Sequence, residues 1–328
     1  MTENVNKSQN FETNIRDLPK IKSLTITDRI FQFIIKEWFS NKRKKISRWL
    51  SNINEFNFKF GTKEWADENF NTHYACKNAC WYCYAWNEAY QRQRDYYKDW
   101  GNRMTLRKYW NKGWQKREDG YTIMYPTTHD IVPETINESF QAIQKMLKAN
   151  INVLFVSKPH FEVIKELINT FSDYKTGQPK IILRFTISTN DDKALSFWEP
   201  NAPKFEERLK SLKYAYQYGF YTSISMEPFF PAKNSSNKTD IDNFILLVKK
   251  LLNFIKGTLW IGKMNHIPVN VQRGIPLSKF EKQKINYLRK FYGIDNIKNL
   301  VYQLYNLEKI RWKESIKKDI INLIIDSK

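Results

Sequence analysis

The feature that most restricts the fold of this chain is a regular alternation of two kinds of segment between residues 121 and 261. Short apolar runs with the β-branched content of buried strands alternate with longer segments whose apolar residues recur at helical spacing. With a strand before Cys76 and a long helix after Cys83, the pattern gives six strand–helix units. We therefore expect an α/β fold with a parallel sheet, either a partial (β/α)6 barrel of TIM type or a doubly wound sheet. The predicted strands cover 121–125, 152–156, 181–187, 221–226 and 258–261, and the predicted helices cover 133–149, 160–171, 204–218 and 240–254.

Both flanks of this alternating core are predicted to be helical. Helical periodicity over 27–49 runs into a basic cluster at 42–45, which is followed by Arg48. A solvated helix face is the simpler interpretation of this cluster, and a phosphate contact is the alternative. The predicted segments are an N-terminal helical extension at 1–60, a core at 61–270 and a C-terminal helical segment at 271–328. The packing stripe expected in the last segment consists of Leu307, Ile310, Ile320 and Ile324.

The sequence shows no pattern typical of a secreted or membrane protein. No run of about 18 apolar residues predicts a transmembrane helix, and the polar stretch 1–14 has no apolar signal core. The three cysteines lie within eight positions, and an odd, clustered set is not a disulfide framework. We expect a cytoplasmic protein without a membrane partner.

The charge of the chain leaves two interpretations open. A formal net charge of +20 and a pI near 9.6 indicate a polyanionic partner such as nucleic acid. Lysine, however, supplies 40 of the 54 basic residues, and Asn and Ile are abundant, as in proteins encoded by AT-rich genomes. Nucleic acid is therefore one candidate partner, and genome composition is the other explanation of the charge.

The three cysteines, Cys76, Cys80 and Cys83, have the spacing Cys-x3-Cys-x2-Cys. Three thiolates can hold three irons of a [4Fe–4S] cluster and leave the fourth iron open to another ligand. With His73 they could instead form a Cys3His zinc site, which would fit a zinc-stabilised, basic nucleic-acid-binding protein without catalysis. A hydrogen-bonded histidine near the cysteine loop is the simpler interpretation of His73.

Polar side chains follow the predicted strands at the points where each strand ends. Because the carboxyl ends of parallel strands meet at one edge of a sheet or barrel, their convergence predicts a site there. Some of them have simpler interpretations: Lys158 could be a surface lysine that opens a helix, Asp130 a helix cap, and Glu227 part of a turn. The strand-end residues are Thr127, Thr128, His129, Asp130, Ser157, Lys158, Ser188, Thr189, Glu227, Lys263 and Asn265.

The cysteine spacing, with the aromatic Tyr82 before the last cysteine and Tyr84-Ala85 after it, resembles the radical S-adenosylmethionine superfamily. Further stretches resemble its spore photoproduct lyase-like branch, in matching order and spacing. The resemblance covers about residues 60–265 and favours the partial (β/α)6 barrel. The stretches are 125–130, 156–159, 184–188, 197–200 and 225–228.

The resemblance implies an enzyme in which Cys76, Cys80 and Cys83 hold a [4Fe–4S] cluster whose open iron binds S-adenosylmethionine. One electron, from a reductant such as flavodoxin or ferredoxin, would cleave the sulfonium. The resulting 5′-deoxyadenosyl radical would abstract hydrogen from a substrate, for which nucleic acid is one candidate and a peptide or small molecule another. The cofactor carries this chemistry, and the protein supplies orientation and exclusion of water.

The resemblance also implies that seven further residues bind the cofactor or substrate and that two others brace loops. The backbone of Tyr82 would lie near the adenine. At the second strand end the superfamily often has a Gly-Gly-Glu motif for the methionine amino group, and this chain has Thr128, His129 and Asp130 there. Lys158 would meet the methionine carboxylate. Ser188 would lie near the cofactor, and Glu227 would bind a ribose hydroxyl or the substrate. Arg184 and Trp198 would brace loops.

One departure from the branch argues against spore photoproduct repair. The lyases return a hydrogen atom from a non-ligand cysteine at the second strand end, and this chain has Thr127-Thr128-His129 there and no fourth cysteine. Either a tyrosine donates the hydrogen, or deoxyadenosine returns its own, or the reaction differs. The candidate tyrosines are Tyr84, Tyr90, Tyr96 and Tyr97.

Overall fold

The computed structural model describes residues 23–40, 43–53, 55–58, 61–175, 180–233, 238–265 and 267–327. These residues form two compact units, one built from the described residues up to 58 together with 317–327, and one from 61–316. No helix in the described part of the chain has both the length and the apolarity needed to span a bilayer. The strands are β1 (Ser23–Thr25), β2 (Glu55–Asn57), β3 (Glu68–Asn69), β4 (His73–Tyr74), β5 (Thr105–Leu106), β6 (Thr122–Tyr125), β7 (Asn152–Ser157), β8 (Ile181–Thr186), β9 (Tyr221–Met226), β10 (Leu259–Ile261), β11 (Val271–Gln272), β12 (Ile275–Pro276) and β13 (Ile310–Trp312). The α-helices are α1 (Asp28–Phe39), α2 (Arg43–Ser51), α3 (Tyr84–Gln91), α4 (Ile136–Lys148), α5 (Phe161–Thr170), α6 (Asp192–Trp198), α7 (Phe205–Gln217), α8 (Asp240–Leu251), α9 (Lys279–Phe291), α10 (Ile294–Leu304) and α11 (Glu314–Asp326).

The smaller unit has a pair of parallel strands, β1 and β2, and two consecutive helices where one was predicted over 27–49. Thr27 caps α1, since its hydroxyl accepts a hydrogen bond from the Ile30 N–H. The backbone of Ser40 is extended and ends this helix, so the single predicted helix is wrong. The apolar stripe of α1 is buried, as its helical spacing predicted. Its members are Phe31, Ile34, Ile35 and Trp38.

The larger unit is organised around a seven-stranded sheet in which every neighbouring pair is parallel. The strands lie side by side in their chain order, β3, β6, β7, β8, β9, β10 and β13. A doubly wound sheet would reverse direction part-way through this order, so the topology is that of a singly wound half-barrel. The predicted α/β class and partial (β/α)6 barrel of TIM type are confirmed, with helices flanking the curled sheet.

The central strands form where the sequence predicts them, because strands buried on both faces are continuous apolar runs. Strand β8 has five buried residues out of six, and β9 also has five out of six. Between them, α7 ends before Gly219, whose φ of +88° is the left-handed conformation that commonly terminates a helix. The helix predicted over 133–149 begins with a 3-10 turn, Pro133–Thr135, before it becomes α-helical.

Two further predictions are corrected at the ends of the larger unit. The helix after Cys83 is short, since α3 has eight residues and Gln93 beyond it has a φ of +50°. The predicted packing stripe of the C-terminal segment is not one helix face, because Ile310 lies in β13 and pairs with Leu259 of β10. Residues 271–316 accordingly belong to the half-barrel unit, and the predicted segment 271–328 is divided between both units.

Candidate active site

A cavity of about 570 Å³ opens at the carboxyl ends of the sheet strands. It is lined by nine of the ten residues for which the resemblance implies a role in holding the cluster, the cofactor or the substrate. Ser188 is the exception, because its side chain is fully buried and its hydroxyl donates to Glu199 at 2.9 Å. The nine residues are Cys76, Cys80, Tyr82, Cys83, Thr128, His129, Asp130, Lys158 and Glu227.

The loop that carries the cysteines is held in an unusual backbone conformation. Ala75 and Ala79 have positive φ angles of 61° and 48°, which side chains with a Cβ adopt at an energetic cost. Contacts on several sides stabilise this conformation. Asn78, which is fully buried, donates to Asp130 at 2.8 Å, and the Trp81 N–H donates to the Trp198 carbonyl at 2.8 Å. Trp198 thus braces the loop, and its ring also packs edge-to-face on Trp81.

The three cysteines of the loop all line the cavity. None of the three forms a disulfide. Two of the sulfur atoms accept a hydrogen bond from a backbone N–H at 3.4 Å, Cys76 from Asp130 and Cys83 from Trp86. Burial raises the pKa of Cys76 to about 12 and also raises the pKa values of Cys80 and Cys83. A bound cation overcomes this penalty, because metal coordination deprotonates a thiol.

His73, the proposed fourth ligand of a zinc site, has other partners. Its Nδ1 lies 2.9 Å from the Thr72 hydroxyl, and its ring packs edge-to-face on His129 with centroids 5.4 Å apart. Among the described residues, no group of three or more His, Cys, Asp or Glu side chains, the three cysteines included, is arranged to hold one metal ion. The simpler interpretation of His73, a hydrogen-bonded histidine near the loop, agrees with these contacts.

Asp130 connects the cysteine loop to the end of β7. One carboxylate oxygen accepts hydrogen bonds from the Ser157 hydroxyl at 2.9 Å and from the Lys158 backbone N–H at 2.7 Å. The other oxygen accepts a hydrogen bond from the Asn78 side-chain amide. Burial alone would raise the pKa of Asp130, but Lys158 and these hydrogen bonds hold it below its ordinary value. Asp130 therefore orients Lys158, and it is not a helix cap, because the N-cap of the next helical turn is Val132.

The ammonium group of Lys158 faces the cavity and is not a surface group. Its Nζ lies 3.7 Å from Asp130 Oδ2, which is beyond hydrogen-bond distance, and 5.8 Å from the centre of the Tyr82 ring. Burial opposes the charged form of Lys158, but the ionisable groups around it, of which Cys80, Tyr82 and Asp130 contribute most, hold its pKa well above the ordinary value. Lys158 is therefore a largely buried cation with N–H donors available to an anionic group in the cavity.

His129 is held as a neutral ring of one tautomer. Its Nε2 accepts the His73 N–H at 3.3 Å, and its Nδ1 lies 3.1 Å from the Asp130 carbonyl oxygen, which can only accept. The proton therefore resides on Nδ1. Burial lowers the pKa of His129 to about 3.

We expect the free energy of unfolding to fall as the pH drops from about 6.5 toward 3, because His129 takes up a proton only when the chain unfolds. The slope contributed by this one group is about 1.4 kcal/mol per pH unit. Urea unfolding of the wild type and of His129→Gln between pH 7 and 4.5 measures it. A His129→Gln variant with the slope of the wild type would contradict the assignment, since His73 and His160 are retained in both.

The loop after β6 is held by Asn71 and Arg107, which the sequence did not predict for the site, and by Tyr84. Asn71 Oδ1 accepts the N–H groups of both Thr127 and Thr128 at 2.8 Å, and the Arg107 guanidinium donates to the Thr128 hydroxyl at 3.1 Å. The Tyr84 hydroxyl donates to the Thr127 carbonyl at 2.8 Å. Of the four candidate hydrogen-donor tyrosines, Tyr84 is the one that lines the cavity.

A buried ion pair that sequence reasoning missed supports the opposite wall. The carboxylate of Glu199 accepts the hydroxyls of Tyr82 and Ser188, and its second oxygen lies 2.5 Å from Arg208. Neither charged side chain of this pair is exposed at all. Burial opposes the ionised form of Glu199, but Arg208 and Lys158 hold its pKa below the ordinary value. Glu199 lies in one of the stretches that carry the resemblance, which was the available signal.

The far wall of the cavity contains Glu227 and a second missed residue, Lys313, which directly follows β13. Lys313 Nζ lies 3.4 Å from Glu227 and 3.3 Å from Glu64, and it donates to the Gly61 carbonyl at 3.1 Å. Burial raises the pKa of Glu227, and Lys313 opposes that shift. A Cβ on Gly262 would lie 2.8 Å from Lys313 Cβ, so a glycine is needed where the lysine passes.

Arg184, predicted to brace a loop, lies in β8 behind this wall. Its Nε donates to the Ser223 hydroxyl at 3.0 Å, and its guanidinium lies 4.5 Å from the centre of the Trp65 ring. Lys313 lies over the same indole at 4.2 Å. Two cations thus hold the Trp65 ring at the cavity wall.

Comparison with known proteins adds one relative. No protein-family model matches this chain. Over 167 residues it is 28% identical to a protein of the Acidianus two-tailed virus named "Uncharacterized protein ORF301", a match that covers 51% of this chain and 52% of the viral protein. The chain thus spans about half the length of the curated relative it matches.

Proposed function

We propose that this chain is a radical S-adenosylmethionine enzyme that holds a [4Fe–4S] cluster on Cys76, Cys80 and Cys83 and abstracts hydrogen from an organic substrate. The observation that supports this most directly is that the three cysteines of the sequence line one cavity of a parallel half-barrel together with a largely buried lysine. When bound, the cluster and S-adenosylmethionine supply one-electron cleavage of the sulfonium and a 5′-deoxyadenosyl radical.

The residues around the cysteines are suited to hold the cofactor by its charged end. Lys158 offers N–H donors to the methionine carboxylate, and a charge-assisted hydrogen bond in a buried site is strong. Asp130 fixes Lys158 through the Lys158 backbone N–H and the adjacent Ser157 hydroxyl. The Thr128 hydroxyl also faces the cavity, in the region where the resemblance expects the methionine amino group.

The remaining walls are suited to orient the adenosine and the substrate. Tyr82 is fixed by its hydrogen bond to Glu199, so its backbone keeps one position beside the cysteines. Glu227 presents a carboxylate for a ribose hydroxyl or for the substrate, and Lys313 holds that carboxylate in place. A second groove of about 770 Å³ meets the cavity at Tyr84 and Asn265, which line both and mark a route for the substrate. Flavodoxin or ferredoxin is the proposed reductant.

Anaerobic purification followed by iron and sulfide analysis tests the proposal. We expect about four irons per chain, an absorption band that dithionite bleaches, and formation of 5′-deoxyadenosine from S-adenosylmethionine. Cys80→Ala should lose the cluster and the product, because one iron then has no thiolate. A colourless protein that carries one zinc would refute the enzyme and favour the binding protein.

A further inference from the structure

Three cations of α2 lie on one side of the helix. Helical geometry places Lys44, Lys45 and Arg48 within an arc of about 100°. Lys44 and Arg48 are exposed, and Lys45 is partly exposed. The opposite side of α2 is buried. We call these three cations the basic face of α2.

The basic face has no negative partner among the described residues. Other cations of the same unit do have partners: Lys317 forms an ion pair with Asp28 at 2.6 Å, and Arg43 lies 5.2 Å over the ring of Trp38. No ion pair joins Lys44, Lys45 or Arg48 to a described carboxylate, and the first turn of α2 has no acidic residue.

This arrangement weakens the helix that carries it. Lys44 and Arg48 are like charges at positions i and i+4, which destabilise a helix. Cations in the first turn also oppose the helix dipole, which favours acidic residues there. The three charges therefore do not stabilise α2, and an external anion would relieve their repulsion.

We propose that the basic face of α2 binds the phosphate backbone of nucleic acid. Lysine and arginine side chains along a helix neutralise phosphates without reading the base sequence. An anionic membrane surface is disfavoured, because a helix that binds at a membrane inserts its apolar side, and that side of α2 is buried. Its members are Ile46, Trp49 and Leu50. The inference goes beyond the proposed enzyme and does not depend on the cluster.

Salt-dependent binding of the full chain to a fluorescein-labelled 20-base-pair DNA duplex tests the proposal. Each phosphate contact contributes about −0.9 to the slope of log K against log of the salt concentration. We expect Lys44→Gln/Lys45→Gln/Arg48→Gln to reduce the magnitude of the slope by about 2 to 3 and the affinity by about tenfold or more. Arg48→Gln alone should reduce the slope by about 1.

The matched control removes the same charge elsewhere. Lys165→Gln/Lys249→Gln/Lys250→Gln changes exposed lysines of α5 and α8 in the larger unit and should leave the slope unchanged. Lys44→Arg/Lys45→Arg retains the charges and should bind as the wild type does, which separates charge from any effect on folding. Equal slopes in both triple-glutamine variants, or a wild-type slope near zero, would overturn the proposal. If Lys44→Gln/Lys45→Gln/Arg48→Gln lost binding to phosphatidylserine vesicles but kept its binding to DNA, the basic face of α2 would bind a membrane and the proposal would be overturned.

Discussion

Lys158→Met is expected to weaken the binding of S-adenosylmethionine by about two orders of magnitude, because removal of one partner of a buried charge pair costs about 2–5 kcal/mol. The fold should survive, since Asp130 keeps its hydrogen bonds from Ser157, Asn78 and the backbone N–H of residue 158. Calorimetric titration of the cofactor into the anaerobically reconstituted protein measures the effect.

Lys63→Met is the matched control, because Lys63 lines the same cavity but is exposed at its rim. We expect this variant to bind the cofactor nearly as the wild type does, since exposed charges contribute little. If Lys158→Met and the wild type had equal affinities, the carboxylate contact would be wrong. The iron content would still report separately on the cysteines.

Arg208→Met is expected to lower the free energy of unfolding by about 3–5 kcal/mol, because it leaves the carboxylate of Glu199 buried without its cation. Arg208 also donates to the carbonyls of Pro203 at 2.7 Å and Thr186 at 3.3 Å, and both acceptors lose their donor. Urea unfolding followed by tryptophan fluorescence measures the loss.

The exposed Lys210 of the same helix provides the control, and Lys210→Met should change the unfolding free energy by less than about 1 kcal/mol. The double variant Glu199→Gln/Arg208→Met removes both charges and should be more stable than Arg208→Met alone. A double variant that loses the sum of both single effects would show that the two residues are not coupled.

The strands that could be predicted are those that are buried along most of their length. β7, β8 and β9 lie between helices, and their apolar runs give a signal that is independent of the rest of the chain. β13 gives no such signal, because it has three residues, Ile310, Arg311 and Trp312, among segments with helical periodicity. Its pairing with β10 connects residues about fifty positions apart, which a local pattern does not contain.

In the site, too, some residues could be predicted from a local sequence pattern and others could not. The cysteines and the strand-end residues could be predicted, because parallel strands bring their carboxyl ends together. Arg208 could not, since a charged residue on an amphipathic helix is expected on the solvent side. It is buried because Glu199 lies opposite it, and Glu199 follows α6 rather than a strand. For Asp130, the sequence offered a cap or a cofactor ligand, and the structure shows hydrogen bonds that orient Lys158.

Strand β13 also covers the edge of the neighbouring strand β10. It pairs with Leu259, Trp260 and Ile261 of β10, which are all buried. If the chain were cut soon after residue 265, where the family resemblance ends, these apolar residues would form the edge of the sheet. An unpaired apolar edge is a template for a strand from another molecule. Residues 310–312 thus occupy main-chain groups of β10 that would otherwise be open to a strand from another molecule.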